Sequence, residues 1–329
     1  MIKRLAIAAA FLCLLAVGFY FFAAPTLTAG HQPDEDAAPI RERITEYTVM
    51  YKDSFYLVPE IPDVVSFAGE RVPTENFDIY ESLDRELLSN CYFHSQTIRF
   101  LKLAPRYFAI VEPVLKQEKI PDDMKYLMVA ESGFDPKAVS PAGATGLWQF
   151  MKGTADEYGL EISSAVDERY HVLKATHAAC KMLHKLYNRF GSWAMVAAAY
   201  NAGPAGMSHQ VDAQKQNSYY DLLLNPETAR YVFRIVAIKL IMENPEKYGF
   251  KVAPHHRYHE LNTVTLTVDS TITDLVRFAN TRNTNYKMLK MLNPWLRGSS
   301  LPNPKKKSYT LELPAADFRQ RYELKENNE

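Results

Sequence analysis

The sequence of 329 residues predicts a mainly α-helical protein that ends in a small α+β module. Between residues 77 and 250, apolar side chains recur every three or four positions, the period of an amphipathic helix. After Pro254 the pattern changes to strand-like alternation, then two short helical stretches, then a second alternation. We therefore predict an all-helical domain at residues 77–254 and a strand–helix–helix–strand module at residues 255–329.

Composition excludes several classes of protein. The chain has 38 Lys and Arg against 38 Asp and Glu, so its formal net charge is zero. A protein that binds nucleic acid through overall charge needs clustered Lys and Arg, so no nucleic-acid partner is expected. Hydrophobic residues make up 47% and charged residues 23%, which excludes a largely disordered chain.

Residues 1–30 are predicted to be a signal peptide or an N-terminal membrane anchor. A basic pair precedes residues 5–24, an uncharged run that as a helix measures about 30 Å, enough to cross a bilayer. Small residues at 28–30 form a weak cleavage site, so both alternatives stay open. A lipoprotein is disfavoured, because His31 stands at the position where a lipoprotein would carry its lipid-bearing cysteine. Each alternative places the rest of the chain outside the cytoplasm.

Residues 31–76 have no helical period and are predicted to be a tether, followed from residue 45 by an extended arm on the domain. Beyond them, Cys91 and Cys180 would lie in an oxidising compartment. Each falls in a helical segment. They are expected either to pair or to remain buried thiols.

The first helical period runs through Ile79, Leu83 and Leu87, and Gly191 stands where a helix end favours a left-handed residue. We predict two further helices over residues 98–115 and a short apolar helix at 124–130. Later helices are predicted at 171–190, 193–201 and 227–243.

Glu131 ends the short apolar helix. The helix dipole disfavours negative charge at a C-terminus, and apolar neighbours disfavour it as well, so both effects raise the pKa of this carboxyl. A raised pKa suits a general acid at neutral pH. The local pattern leaves open a plain surface glutamate before a glycine turn.

Three other segments carry candidate binding residues. Residues 140–146 form a small-residue turn that lets a ligand approach the backbone, and residues 147–151 offer an aromatic ring, an amide and apolar walls, a set that suits a sugar. Tyr200 and Asn201 close an alanine-rich helix, and Tyr231 lies one turn after Thr228. Taken singly, Trp148 and Tyr231 are as compatible with a core position, and Asn201 with a helix cap.

The nine histidines include His177 and His184, and a group at 255–259. No His-Glu-x-x-His pattern or cysteine pair accompanies them, so a metal hydrolase is disfavoured and no metal or cofactor is expected. We interpret them as solvated or core histidines.

Three motifs together carry a family resemblance: Glu131-Ser132, then Gly146-Leu147-Trp148-Gln149, then Ala199-Tyr200-Asn201-Ala202-Gly203. In order and spacing they resemble the signature motifs of family 1 lytic transglycosylases, which implies a lysozyme-like fold. The upstream segment, residues 72–127, is similar to the D group of the membrane-bound members, and with it the resemblance covers about residues 60–250. The C-terminal module resembles a degenerate LysM unit, with Asp269-Ser270-Thr271-Ile272 at its first landmark.

The resemblance implies a role for each matching residue. Glu131 would be the single catalytic acid. Ser140 would contact the substrate's N-acetyl region, and Asn201 and Tyr231 would lie beside the scissile bond. The predicted substrate-binding residues are Ser140, Trp148, Gln149, Met151, Tyr200, Asn201 and Tyr231.

The implied activity is cleavage of the β-1,4 bond between N-acetylmuramic acid (MurNAc) and N-acetylglucosamine (GlcNAc) in peptidoglycan, with formation of 1,6-anhydro-MurNAc. Peptidoglycan strands would be the partner, the membrane would be contacted through the N-terminal segment, and the location would be the periplasm. A hydrolytic muramidase of the same fold and a non-catalytic peptidoglycan-binding protein remain alternatives. Residues 263–314 include eight basic and three acidic side chains, and this positive charge favours anionic partners for the module.

Overall fold

A computed structural model of the chain describes residues 58–316 and 318–319. The predicted signal peptide or anchor and most of the tether and arm lie outside these residues. Within them, no helix is long and apolar enough to cross a membrane.

A β-hairpin precedes the helices. Strands β1 (Val65–Phe67) and β2 (Glu70–Val72) pair antiparallel around a turn whose residues, Ala68 and Gly69, both have positive φ. Val65, Phe67 and Val72 are buried in the same core as the helices. The packed core therefore begins within the predicted arm, before the helical period starts at residue 77.

Eight α-helices follow. Their bounds are Phe77–Tyr92 (α1), His94–Gln117 (α2), Met124–Ser132 (α3), Lys152–Glu157 (α4), Val172–Phe190 (α5), Trp193–Ala202 (α6), Pro204–Gln214 (α7) and Pro226–Glu243 (α8). Gly191 ends α5 with a φ of 71°, as its position predicted. The prediction of mainly helical structure is confirmed.

The prediction of two helices over residues 98–115 is wrong. They are parts of one helix, α2, which continues through Pro105 and Pro113. Each proline removes one backbone hydrogen bond. The helix continues because Leu101, Leu103 and Val111 are buried on either side of Pro105.

Helix α8 is the centre of the helical domain and packs against α1, α3 and α6. It is buried on most of its circumference, as expected of a central helix. The Lys239 ammonium of α8 lies 2.7 Å from the Asp123 carboxylate, just before α3, and donates to the carbonyl oxygen of Ser66 at 2.9 Å. These contacts join the hairpin to the helices that carry Glu131 and Tyr231.

The two cysteines of the helical domain are buried free thiols, so the pairing alternative is wrong. Burial raises the pKa of Cys91 to about 11 and that of Cys180 to about 12. Both therefore stay protonated at neutral pH. His177 and His184 both contact Glu118, at 2.9 Å through its carboxylate and at 2.6 Å through its carbonyl oxygen, which assigns them structural roles.

The C-terminal module contains β3 (Thr263–Val268), α9 (Leu275–Asn280), α10 (Tyr286–Leu292) and β4 (Tyr309–Pro314), the predicted order. The strands pair antiparallel from Thr263 opposite Pro314 to Val268 opposite Tyr309. The module has its own core, to which Val166 and Tyr170 of the helical domain also belong. The two parts of the chain therefore share buried side chains.

Candidate active site

Glu131 lies in the last turn of α3, before Gly133, whose left-handed conformation ends the helix. Burial is the main effect on this carboxyl and raises its pKa to about 7. The Tyr231 hydroxyl donates a hydrogen bond to Glu131 Oε1, and Arg234 adds positive charge, and both oppose the rise. Desolvation outweighs both effects, so the pKa of this carboxyl stays above its usual value.

Two tyrosines lie close enough to this carboxyl to feel its charge: Tyr231 is buried and Tyr200 is half-buried. Burial and the charge of Glu131 raise the pKa of both Tyr200 and Tyr231 well above its usual value. Both phenols are therefore neutral hydrogen-bond donors. The Tyr200 hydroxyl donates to the carbonyl oxygen of Trp148 at 2.6 Å, which joins α6 to the loop that carries Gln149.

Asn201 belongs to a chain of three polar side chains. Asn225 caps α8 through its Oδ1 and donates from Nδ2 to Thr228 Oγ1 at 3.0 Å. The Thr228 hydroxyl in turn donates to Asn201 Oδ1 at 2.9 Å. This contact orients the Asn201 amide and leaves its Nδ2 group for a ligand.

Residues 138–150, here called the motif loop, carry Ser140 and Gln149. The hydroxyl of Ser140 accepts a hydrogen bond from the Ala144 N–H at 3.0 Å. Gln149 has a φ of 48°, and its Nε2 donates to the carbonyl oxygens of Gly146 at 2.8 Å and Ala138 at 3.3 Å. The amide hydrogens therefore hold the loop, and Oε1 is the atom that Gln149 can offer to a ligand.

Trp148 is the predicted binding residue that the structure contradicts. Its side chain has no exposed surface, and its indole N–H donates to Thr176 Oγ1 at 2.9 Å. A ring buried in this way cannot contact a sugar, so Trp148 belongs to the core. Met151, directly after the motif loop, is 45% exposed and available to a ligand.

The predicted residues thus fall into two groups. The helices α3, α6 and α8 bring together Glu131, Tyr200, Asn201 and Tyr231. The chain segment at 138–151 carries Ser140, Gln149 and Met151 and is joined to α6 through the bond between Tyr200 and the Trp148 carbonyl.

Residues 109–223 match the protein family described as the transglycosylase SLT domain. The matched range includes Glu131, Gln149 and Asn201. Over these residues the helical domain is similar to an SLT domain. Residues 264–317 match the C-terminal LysM-like domain of soluble lytic transglycosylases, which corresponds to the observed strand–helix–helix–strand module.

Curated relatives carry related names. The chain is 29% identical over 247 residues to membrane-bound lytic murein transglycosylase D of Escherichia coli strain K12, covering 73% of this chain and 53% of that protein. It is 33% identical over 101 residues to peptidoglycan transglycosylase gp16 of phage T7, covering 30% of this chain and 8% of that protein. The chain spans about half the length of the transglycosylase D relative.

Among solved structures, the 70 kDa soluble lytic transglycosylase of Escherichia coli is similar with a TM-score of 0.39 and 17% identity, covering 68% of this chain and 47% of that one. An inactive mutant of the lytic transglycosylase Slt of Pseudomonas aeruginosa has a TM-score of 0.34 and 22% identity, covering 46% and 26%.

Two other acids lie near Glu131 in the sequence or the fold, and each has a structural partner. Asp135 Oδ1 accepts the backbone N–H of Lys137 at 2.9 Å, so it caps a loop. Glu227 is largely exposed and pairs with Arg234 at 3.0 Å. Glu131 instead has the neutral phenol of Tyr231 as its hydrogen-bond partner.

Sequence reasoning missed a cluster of charges beside the site. Glu86 is buried in α1, where Arg230 donates to it at 2.6 Å and Arg234 lies 3.7 Å away. Both arginines belong to α8, on either side of Tyr231 in the sequence. The available signal was a charged residue between Leu83 and Leu87, on the buried face of a helix.

Proposed function

We propose that this protein is a peptidoglycan lytic transglycosylase that cleaves the MurNAc–GlcNAc β-1,4 bond and forms 1,6-anhydro-MurNAc. Glu131 acts first as the acid and then as the base. The observation that supports this most is a half-buried carboxyl with a pKa of about 7, hydrogen-bonded to Tyr231, inside a domain similar to an SLT domain. A group with this pKa both donates and accepts a proton at neutral pH.

In the first step, protonated Glu131 gives its proton to the glycosidic oxygen, which leaves as the 4-hydroxyl of GlcNAc. Positive charge develops at C1 of MurNAc, as in other glycosidic cleavages. The Tyr231 hydroxyl stabilises the carboxylate that Glu131 becomes, because a hydrogen bond to the charged form favours it.

In the second step, the Glu131 carboxylate takes the proton of the C6 hydroxyl of MurNAc, and the C6 oxygen forms a bond to C1. One proton has been given and one recovered, and no water is consumed. A second carboxylate is unnecessary because the substrate supplies the nucleophile, unlike in most glycosidases.

The other residues bind the glycan in this proposal. The hydroxyl oxygens of Tyr200 and Tyr231 lie near the bond that breaks and present their lone pairs to the positive charge at C1, because their hydrogens are donated to Trp148 and Glu131. Asn201 Nδ2 donates a hydrogen bond to an oxygen of the glycan. Gln149 Oε1 accepts a hydrogen bond from a sugar, and Met151 offers apolar surface to a ring face. Ser140 contacts the N-acetyl region.

The partner in this proposal is a peptidoglycan glycan strand, which places the protein in the periplasm. The uncharged run at residues 5–24 would either target it across the inner membrane or anchor it there.

Mass spectrometry of the products from purified sacculi tests the proposal. The wild-type protein is expected to release muropeptides that end in 1,6-anhydro-MurNAc, lighter by one water than reducing-end products. Glu131→Gln is the matched control, and we expect its rate of glycan cleavage to be about 10²–10⁴-fold lower than that of the wild type. Reducing ends would make the protein a muramidase, and no release with retained pelleting would make it a binding protein.

A further inference from the structure

Residues 161–171, here called the brace segment, lie between the LysM-like module and the motif loop. The Arg297 N–H donates to the carbonyl oxygen of Ala165 at 2.7 Å, and the Asp167 N–H donates to the carbonyl oxygen of Trp295 at 2.9 Å. These bonds form an antiparallel bridge between Val166 and Leu296. The module is thus attached to the helical domain through backbone pairing.

Side chains strengthen this attachment. Tyr170 is buried in the core of the module, and the Arg297 guanidinium lies 4.2 Å from its ring centroid. At the start of the brace segment, the Glu161 carboxylate accepts from the Tyr309 hydroxyl at 3.0 Å and pairs with Lys307 at 2.9 Å. Apolar, aromatic and charged contacts therefore hold the two parts together.

The other side of the brace segment holds the motif loop. Arg169 donates from Nη1 to the carbonyl oxygens of Gly143 at 3.1 Å and Phe150 at 3.2 Å. A Cβ on Gly146 would lie 2.0 Å from the carbonyl oxygen of Arg169, so the two backbones are in direct contact. Arg169 thus binds the loop on both sides of Gln149.

Asp167 connects the two sides. Its carboxylate accepts from Arg169 Nε at 3.0 Å and Nη2 at 2.7 Å, while its N–H is bonded to the module at Trp295. Both side chains of the Asp167–Arg169 pair are mostly buried. Breaking a buried polar link leaves its groups unsatisfied, so the connection from the module through Asp167 to Arg169 is costly to break.

We propose that the LysM-like module positions Gln149 through the brace segment, with Arg169 as the positioning residue. The role of Gln149 in glycan binding rests on the proposed function, whereas the mechanical link does not. The module then affects turnover of short soluble glycans as well as attachment to sacculi. An independent tethered module would affect attachment alone.

Hydrogen–deuterium exchange of the full chain tests the link without any activity assay. Arg297→Ala removes an exposed guanidinium that covers Tyr170, and Arg277→Ala is the matched control, an exposed arginine of the same module. We expect faster exchange of the amides at residues 143–150 in Arg297→Ala and wild-type exchange in Arg277→Ala. Equal exchange in both variants would overturn the proposal.

Kinetics on a soluble oligomer of alternating GlcNAc and MurNAc tests the route through Gln149. We expect Arg169→Ala to raise KM and to lower kcat/KM up to about 10²-fold, with sacculus pelleting unchanged, because small misplacements of a binding group have effects of this size. Partial unfolding would instead lower kcat at constant KM. Arg169→Lys should recover part of the loss in kcat/KM, since lysine keeps the positive charge but lacks the several donors of the planar guanidinium.

A double-mutant cycle gives the sharpest result. If Arg169 acts through Gln149, Arg169→Ala combined with Gln149→Ala is no worse than Gln149→Ala alone. If instead the fold-losses of the two single variants multiply in the double variant, Arg169 does not act through Gln149 and the proposed route is wrong. If the wild type leaves the oligomer intact, the proposed function fails, and the exchange experiment still decides whether the module holds the motif loop.

Discussion

Glu86 and Glu131 lie on helices that pack against α8, and their surroundings differ: Glu86 is buried, whereas Glu131 is half-buried. Glu86 is paired with arginines of α8, at 2.6 Å for Arg230 and 3.7 Å for Arg234. Glu131 instead has a neutral phenol, Tyr231, as its hydrogen-bond donor. The comparison teaches that the partner supplied by α8 distinguishes the two carboxyls: arginines surround Glu86, whereas Glu131, whose pKa is raised by desolvation, has a neutral donor.

The largest expected effect concerns Glu131→Gln and pH. Burial favours the protonated form and raises the pKa of Glu131 from 4.5 in the unfolded chain to about 7 in the folded protein. Between these two pH values the folded protein therefore binds more protons than the unfolded chain. Wild-type stability therefore falls as pH rises through this window, by up to about 3 kcal/mol. We expect Glu131→Gln to remove that fall and to be the more stable protein at pH 8.

Urea unfolding of both proteins at pH 5 and pH 8 measures this effect. The variant's advantage in unfolding free energy should be greater at pH 8 than at pH 5. An advantage that is the same at both pH values would contradict the raised pKa of Glu131.

Glu86→Gln is next in size. It removes the charge that two arginines of α8 share, and breaking an ion pair around a buried group is strongly destabilising. Because Arg230 and Arg234 still reach solvent, we expect a loss of about 2 kcal/mol in unfolding free energy. Glu75→Gln, which alters an exposed ion pair with Arg71, is the control and should cost less than about 1 kcal/mol.

Tyr231→Phe sharpens the comparison at the other carboxyl. The phenol lowers the pKa of Glu131, so its removal raises that pKa. A hydrogen bond to a charged group is worth about 1.5–3 kcal/mol, which corresponds to about one to two pH units. We expect the alkaline limb of the pH–rate profile for glycan cleavage to shift to higher pH by about one to two units. A limb that stays in place would show that Glu131 is not the titrating acid.

Arg234→Met gives the smallest effect. Arg234 pairs with Glu86 and Glu227 and lowers the pKa of Glu131 through its charge, so the alkaline limb should again shift to higher pH, by less than in Tyr231→Phe. The shift should shrink at high salt, because solvent ions screen a partly exposed charge. A downward shift would contradict the electrostatic assignment.

The helix periods were predictable because they are local. Burial on one face fixes a repeat of three to four residues, and the helix predicted at 171–190 is observed at Val172–Phe190. The number of helices over residues 98–115 was wrong, and the observed single helix continues through Pro105 because the burial of its neighbours outweighs the local cost of a proline. The orientation of Trp148 was equally undecidable, since an aromatic ring suits a sugar and a core alike.

By itself, the sequence determined the helical domain, the strand–helix–helix–strand module and the motifs that contain Glu131, Gln149 and Asn201, because these depend on residue type and local spacing. The tertiary structure decided which partners the charged groups meet. Tyr231 rather than an arginine contacts Glu131, and Arg169 joins the module to the motif loop. Such pairings depend on distances across the fold, and a local repeat specifies which face is buried but not which neighbour covers it.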